Sequence, residues 1–241
     1  KYVKTLGYKT FRGSENNVLD RYYKASKKFN SENIIRITSD CPFIDVATLN
    51  KMVEIFASLD YDYMSNIDPK TFPKGLDIEI FTFKTLKKRF IGHLQSNKIN
   101  KCLHFFDTID SVDTFKIANK INNASQKISQ KTECLIEINT SGEAQKNGFL
   151  PIISKELISC FSLQNLEIVG LMTIGPNTSD EKKIKNAFST LRDLKDKINQ
   201  EIGANILKEL SMGMTNDFEL GVEEGSTMVR VGTGLFGSRK Y

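Results

Sequence analysis

This chain of 241 residues lacks the features that announce several classes of protein. It has four cysteines, Cys41, Cys102, Cys134 and Cys160, and no CxxC pair among them. Histidine occurs twice, at His93 and His104. A structural zinc site needs clustered Cys and His ligands, so none is expected. The cysteines read instead as free, mostly buried thiols of a protein in a reducing cytoplasm. No apolar run is long enough to span a bilayer, and no membrane role is expected. No charged-then-apolar leader opens the chain. Net charge is only +5, from 34 basic and 29 acidic residues. No arginine-rich or aromatic-interleaved stretch accompanies it, so nucleic acid is set aside as a partner. Oligomeric state is not legible.

What is present is ordinary for a globular protein: 39% hydrophobic and 26% charged residues. The chain opens on Lys1 rather than Met, inside what reads as mid-domain sequence, which leads one to expect a fragment.

Two stretches differ in texture. In the first, "YKTFRG" reads as a short extended segment. Glu15 to Phe29 reads as a helix capped by Ser14, with Val18, Leu19, Tyr22, Tyr23 and Ala25 at helical spacing. The β-branched run "NIIRITSD" (33–40) reads as a buried strand ending in polar residues. Asp45 caps a second predicted helix running to Leu59. "YDYMSN" and "LDIEIFTF" then read as strands, the latter with Ile78, Ile80 and Thr82 alternating with Glu79, Phe81 and Phe83.

From Phe90 a regular alternation begins. Strand candidates are "RFIG", "DTIDSV", "ECLIEINT", "LEIVGLMTI", "ILKELSMG" and "MVRVGTGLF". Helical patterns separate them: 96–106, 113–129, 151–161, 179–202 and 216–224. Alternation of this kind requires parallel strands with helical crossovers. An open doubly wound sheet and a (β/α)8 barrel both fit. Glycine at the ends of the last two strands favours the barrel, which often builds a phosphate site from the loops after its final strands. Six strands are two short of eight.

"SMGMTND" (211–217) runs from a strand end into a helix start. Gly213 allows close backbone approach, Thr215 offers a hydroxyl, and a helix N-terminus offers free N–H groups. "VRVGTGLFG" (229–237) repeats the arrangement with Gly232, Thr233 and Gly234. Either loop alone suits an ordinary turn, but together they suggest an anion cradle. Arg230 precedes Gly232 by two and shares its strand face. It is open to a phosphate, a ring nitrogen or an internal salt bridge. In the first stretch, Asp40 at a strand's C-terminal end suits a metal ion or a turn cap, and Asp45 suits a helix cap.

"FIGHLQSNK", "DTIDSVD", "IEINTSGEAQKNGF", "GLMTIGP", "LSMGMTNDFE" and "EEGSTMVRVGTGLFGSR" together resemble the pyridoxal phosphate homeostasis protein family, whose fold is similar to the N-terminal barrel of alanine racemase. The resemblance runs from Phe90 to Arg239. It implies that Thr215, Gly232 and Thr233 hold the cofactor phosphate, with Thr215 where the family usually has Ser. It implies that Arg230 lies near the pyridine nitrogen. An arginine there weakens the electron sink, so a non-catalytic role is implied. The family's cofactor lysine belongs to a strand preceding "FIGHLQSNK" by about two βα units, and nothing in residues 1–88 resembles that segment. Lys98 begins a helix and reads as solvated or capping. Binding of pyridoxal 5′-phosphate is therefore expected to be weak and non-covalent. Arg89 stands where the family usually has His.

"FRGSENNVLDRYYKAS", "IIRITSDCPFID", "DYMSN" and "FPKGLDIEIFTFKTLKK" resemble cytidylyltransferases of the spore-coat-polysaccharide and acylneuraminate type, from Phe11 to Lys88. This implies a nucleotide-diphospho-sugar transferase-like α/β sheet. It also implies Mg²⁺ held by Asp40 and Asp77. The family's nucleotide-binding loop has no counterpart here, so no turnover is expected.

The expected architecture is thus an incomplete (β/α)8 barrel, strands three to eight, in residues 89–241. A fragment of a cytidylyltransferase-like sheet precedes it in residues 1–88. "LKKRFIGHLQSNK" (86–98) joins them without a Gly/Ser/Pro spacer and reads as a seam. Three functional classes follow: a binding protein for pyridoxal phosphate, a nucleotidyltransferase fragment, and a fused chain without function, the product of a deletion or an assembly error.

Overall fold

The computed structural model describes residues 2–15, 17–38, 41, 44–59, 61–67 and 75–237. Two compact units divide at Lys87 and Lys88.

The first unit contains α1 (Tyr2–Thr5), α2 (Val18–Phe29), β1 (Asn33–Arg36), α3 (Val46–Ser58), β2 (Tyr63–Ser65) and β3 (Glu79–Thr82), then a 3-10 turn over Phe83–Leu86. The strands form a small antiparallel sheet in the order β1-β3-β2. β3 is central and covered on both faces, so its neighbours Ile80 and Phe81 are both buried. Ile80 and Ile78 meet Met52 and Phe56 of α3, while Phe81 meets Tyr23 of α2, Ile34 and Leu86. Two small cores therefore lie back to back across one strand. That explains why "IEIF" carries apolar residues on both sides of the pleat.

Three local expectations are corrected. The cap of α2 is Asn17, whose Oδ1 accepts from Asp20 N at 3.0 Å; Ser14 Oγ accepts from Asn17 N instead. Both residue types are good caps, and the one nearer the first helical turn takes the role. β1 ends at Arg36, and "YKTFRG" forms no strand, having no neighbour to pair with among the described residues. Asp45 does cap α3: its Oδ2 accepts from Thr48 N at 2.8 Å.

The second unit contains β4 (Arg89–Phe90), α4 (Ile99–Phe105), β5 (Thr108–Val112), α5 (Phe115–Lys127), β6 (Thr132–Glu137), α6 (Lys155–Cys160), β7 (Leu166–Met172), α7 (Glu181–Ile202), β8 (Glu209–Met214), α8 (Phe218–Glu223), β9 (Met228–Arg230) and α9 (Thr233–Phe236). Its six strands pair in sequence order, β4 to β9, and every pairing is parallel. Side-chain caps start three of the helices, Thr114 for α5, Ser154 for α6 and Asp180 for α7, so α6 begins at Lys155 rather than at Pro151. α7 buries Ile184, Phe188, Leu191, Leu194 and Ile198, a single stripe at 3.6-residue spacing. Each such side chain contributes roughly 1.5–3 kcal/mol on burial. They meet Cys134, Ile136, Ile168, Leu171, Leu210 and Met212 in one core on the helix side of the sheet. Gly170 lies against the Glu209 backbone carbonyl, where a Cβ would overlap it.

The last strand candidate also differs from expectation. "MVRVGTGLF" is not one strand: β9 stops at Arg230, and Thr233–Phe236 turn into a helix. β4 and β9 each pair with one strand among the described residues.

Candidate functional site

Parallel strands bring their C-terminal ends to one rim. There the loop after β8 meets the loop after β9. Gly213 has φ of +94°, and a Cβ on it would stand 2.9 Å from Phe218 Cα, so this tight strand-to-helix turn requires glycine. Asp217 Oδ1 accepts from Met214 N and closes the turn. Thr215 is thereby presented to the neighbouring loop. Its Oγ1 receives the backbone N–H of Gly232 at 3.3 Å and of Gly234 at 3.3 Å, and lies 3.2 Å from Thr233 Oγ1. Two backbone donors and a hydroxyl thus converge on one oxygen; Thr215 is half-buried, and Gly232, Thr233 and Gly234 are solvent-exposed. Space beside Gly232 is open, with no atom within 4 Å of where a Cβ would lie. A set of convergent N–H and O–H donors with open space beside it fits the oxygens of a phosphate.

Arg230 ends β9. Its Nη1 donates to Ser211 Oγ at 2.8 Å and its Nη2 to the Thr173 carbonyl at 2.7 Å. Burial draws the guanidinium below its usual range, while Asp110, Asp217 and Glu137 favour its charge. These two hydrogen bonds tie β9 to β8 and to the residue after β7, beside the Thr215 and Gly232 loops. A cavity of about 840 Å³ includes Thr215, Asp217, Arg230, Gly232 and Thr233 in its lining. All four residues expected to hold a cofactor therefore border one space.

Lys146 also lines that cavity. Its Nζ donates to Glu143 Oε1 at 2.9 Å and to the Gly175 carbonyl at 2.6 Å. Sequence reasoning missed it because it lies on the long loop after β6, not at a strand end. Lys98, by contrast, is exposed at the start of α4, as a solvated residue would be.

Further polar residues line the rim. Asp113 lies just beyond β5, and His93 Nδ1 stands 2.7 Å from its Oδ2. Glu137 ends β6 and is 6% exposed. Burial pushes its carboxyl up and Asp113 adds to that, whereas Arg230 and His93 pull it down. Their signal in the sequence was polar residues interrupting apolar strands, as in "IEIN" and "DSVD".

In the first unit Asp77 lies half-buried just before β3. The antiparallel pairing Arg36↔Glu79 puts it at the edge where β1 ends. Asp40 lies outside the described residues. Among the described residues no group of three His, Cys, Asp or Glu side chains is placed to hold a metal ion, and no helix is long and apolar enough to cross a membrane.

A curled parallel sheet with helices on its outer side defines part of a (β/α) barrel. The sequence profile of the alanine racemase N-terminal domain matches residues 85–240, and the chain belongs to that family. A cytidylyltransferase profile matches residues 3–90. Relatives include the pyridoxal phosphate homeostasis protein of Aquifex aeolicus, 40% identical over 157 residues, 65% of this chain and 68% of the relative. The human pyridoxal phosphate homeostasis protein is 38% identical over 167 residues, covering 65% of this chain and 60% of its own. The chain thus spans 60 to 68% of the length of these two relatives. Among solved structures, PipY of Synechococcus elongatus with PLP bound is 31% identical, with a TM-score of 0.55 over 62% of this chain and 69% of PipY. Alanine racemase of Clostridium difficile shares the fold at a TM-score of 0.54 and 19% identity, over 64% of this chain and 40% of its own.

Proposed function

We propose that this chain binds pyridoxal 5′-phosphate by its phosphate, non-covalently and weakly, and does not turn it over. The observation that carries the reading is the convergence of Gly232 N, Gly234 N and Thr233 Oγ1 on Thr215 Oγ1. Thr215, Gly232 and Thr233 hold the phosphate, with Thr215 Oγ1 swinging aside for a phosphate oxygen. Arg230 stands over the ring nitrogen, kept in place by Ser211 and Thr173. Similarity to pyridoxal phosphate homeostasis proteins and to PipY with PLP bound supports the ligand. Lys146 is the lysine in the cavity lining, and its ammonium is ion-paired to Glu143. An ion-paired ammonium has no lone pair with which to attack an aldehyde, which supports the non-covalent mode.

Titration of the full chain with pyridoxal 5′-phosphate tests this. Thr215→Val keeps the shape and removes the hydroxyl, and is expected to weaken binding about tenfold, the loss of one charge-assisted hydrogen bond. Unchanged affinity would exclude the Thr215 cradle. Borohydride treatment is expected to label no single lysine; stoichiometric labelling of Lys146 would replace the non-covalent mode with a covalent one.

For residues 1–88 the cytidylyltransferase match to residues 3–90 and the position of Asp77 at the sheet edge favour a second reading. This segment is part of a nucleotidyltransferase domain in which Asp40 and Asp77 hold Mg²⁺, and it is inactive as it stands. Formation of a CMP-sugar from CTP and Mg²⁺ by the chain would overturn the inactivity.

A further inference from the structure

The loop after β6 is clipped to the loop after β7 at the wall of the cavity that Thr215 and Gly232 line. Lys146 Nζ donates to Glu143 Oε1 at 2.9 Å and to the Gly175 carbonyl at 2.6 Å. Asn177 N donates to the same Glu143 Oε1 at 3.1 Å, and Gln145 Nε2 donates to Glu143 Oε2 at 2.8 Å. Asn139 Nδ2 fixes the backbone of the first loop by donating to the carbonyls of Glu143 and Lys146. The second loop packs directly on the Thr215 turn. A Cβ on Gly175 would stand 2.8 Å from Asp217 Oδ2, and Asp217 Oδ1 closes that turn on Met214 N.

Charge decides what the clip is for. Among the described residues lining the cavity, Lys146 and Arg230 are the cations and Asp217 is the anion. Arg230 is held by Ser211 and Thr173 and faces Asp110, Asp217 and Glu137. A phosphate monoester brings about two further negative charges at neutral pH. The groups that meet at Thr215 are neutral N–H and O–H donors, so that charge needs a cation. Lys146 is free to supply it. Its side chain is 18% exposed, and two of the three ammonium donors are in use. Its departure orphans neither Glu143 oxygen, because Oε1 keeps Asn177 N and Oε2 keeps Gln145 Nε2. A partly exposed ion pair is weak, whereas a charge-assisted bond to a phosphate is strong.

We propose that Lys146 is a further binding residue of this cavity, its ammonium swinging from Glu143 to the bound phosphate, and that Glu143 is the positioning residue that holds it at the wall beforehand. The inference rests on the reading above that the Thr215 loops hold a phosphate, and adds the counter-charge those loops lack. Lys146 acts as a charge and not as a nucleophile, so a phosphate monoester recruits it with or without an aldehyde.

Calorimetric titration of the full chain with inorganic phosphate and with pyridoxine 5′-phosphate tests this. Neither probe carries an aldehyde, so covalent capture by a lysine contributes nothing. Lys146→Met is expected to weaken both ligands about tenfold, the loss of one hydrogen bond between charged groups, and Lys146→Arg to restore most of the affinity. Glu143→Gln keeps the shape and the acceptor but removes the charge. It is expected to strengthen both ligands about threefold, the worth of a partly exposed ion pair, whereas a merely structural clip predicts weakening. Affinity of the unaltered chain is expected to fall as salt rises, a measurement that needs no variant to fold, and Lys146→Met to flatten that dependence. Salt-independent binding by the unaltered chain, unchanged affinity in Lys146→Met, or weaker binding in Glu143→Gln overturns the inference. If both ligands then still bind and depend on Thr215, the phosphate reading stands without it; if neither binds the unaltered chain, both fall.

Discussion

Arg230 Nη2 reaches past β8 to the carbonyl oxygen of Thr173, 57 residues earlier, at 2.7 Å. The side chain ties the last strand to the end of β7, and through Ser211 to β8. Thr173 is held in turn by its own hydroxyl, which donates to the Ile138 carbonyl at 2.7 Å. The rim is therefore one connected set of hydrogen bonds running from β6 to β9.

Arg230→Gln breaks that set and removes a buried positive charge that Asp110, Asp217 and Glu137 favour. A loss of about 2 kcal/mol is expected, the cost of orphaning buried polar groups at a half-buried position. A urea melt should show a lower midpoint with little change in slope.

Glu137 predicts a pH effect on stability. Its carboxyl is raised in the folded state from an ordinary value of 4.5. Between that value and the raised one, the folded chain holds a proton that the unfolded chain has lost. Stability from this group is thus fully present below 4.5 and is lost as pH rises through the folded value. Glu137→Gln is expected to flatten the slope of stability against pH in that window and to raise stability at neutral pH. Denaturant melts at several pH values measure both.

Burial makes the thiols inert. It pushes Cys102 up to about 11 and Cys160 up to about 12, and raises Cys134 further. Cys41 is only 4% exposed. The thiolate is the reactive form. Ellman's reagent at pH 8 is therefore expected to find no fast-reacting thiol in the folded chain and all four after denaturation. A thiol reacting within seconds in the folded protein would contradict the burial.

Gly170→Ala places a methyl group against the Glu209 backbone where β7 pairs with β8. Relief requires the two strands to part, at a cost of about 2 kcal/mol or more. Loss of amide protection in β7 and β8, measured by hydrogen exchange, would locate the damage.

The alternation from Phe90 to Phe236 was legible because each buried parallel strand is an apolar run and each crossover helix shows one apolar stripe. "LIEI" and the stripe of α7 are examples. The residues of the two meeting loops were legible for a related reason. Gly213, Thr215, Gly232 and Thr233 sit at strand ends, and consecutive parallel strands necessarily bring those ends together. Lys146 was not legible, because a long loop is positioned by its hydrogen bonds, here to Glu143 and to Gly175, 29 residues on. The cap of α2 was misjudged because Ser14 and Asn17 are both competent, and only the path of the chain chooses between them.

By itself, the sequence determined the order of the elements, the parallel sheet and the residues able to meet a phosphate, since these depend on local patterning and connection length. The tertiary structure alone decided that Arg230 is spent on Thr173 and Ser211, that β9 ends before its glycines, and that Glu137 is buried at the end of β6. Those outcomes depend on which groups from distant strands compete for the same partners, and that competition exists only once the strands are side by side.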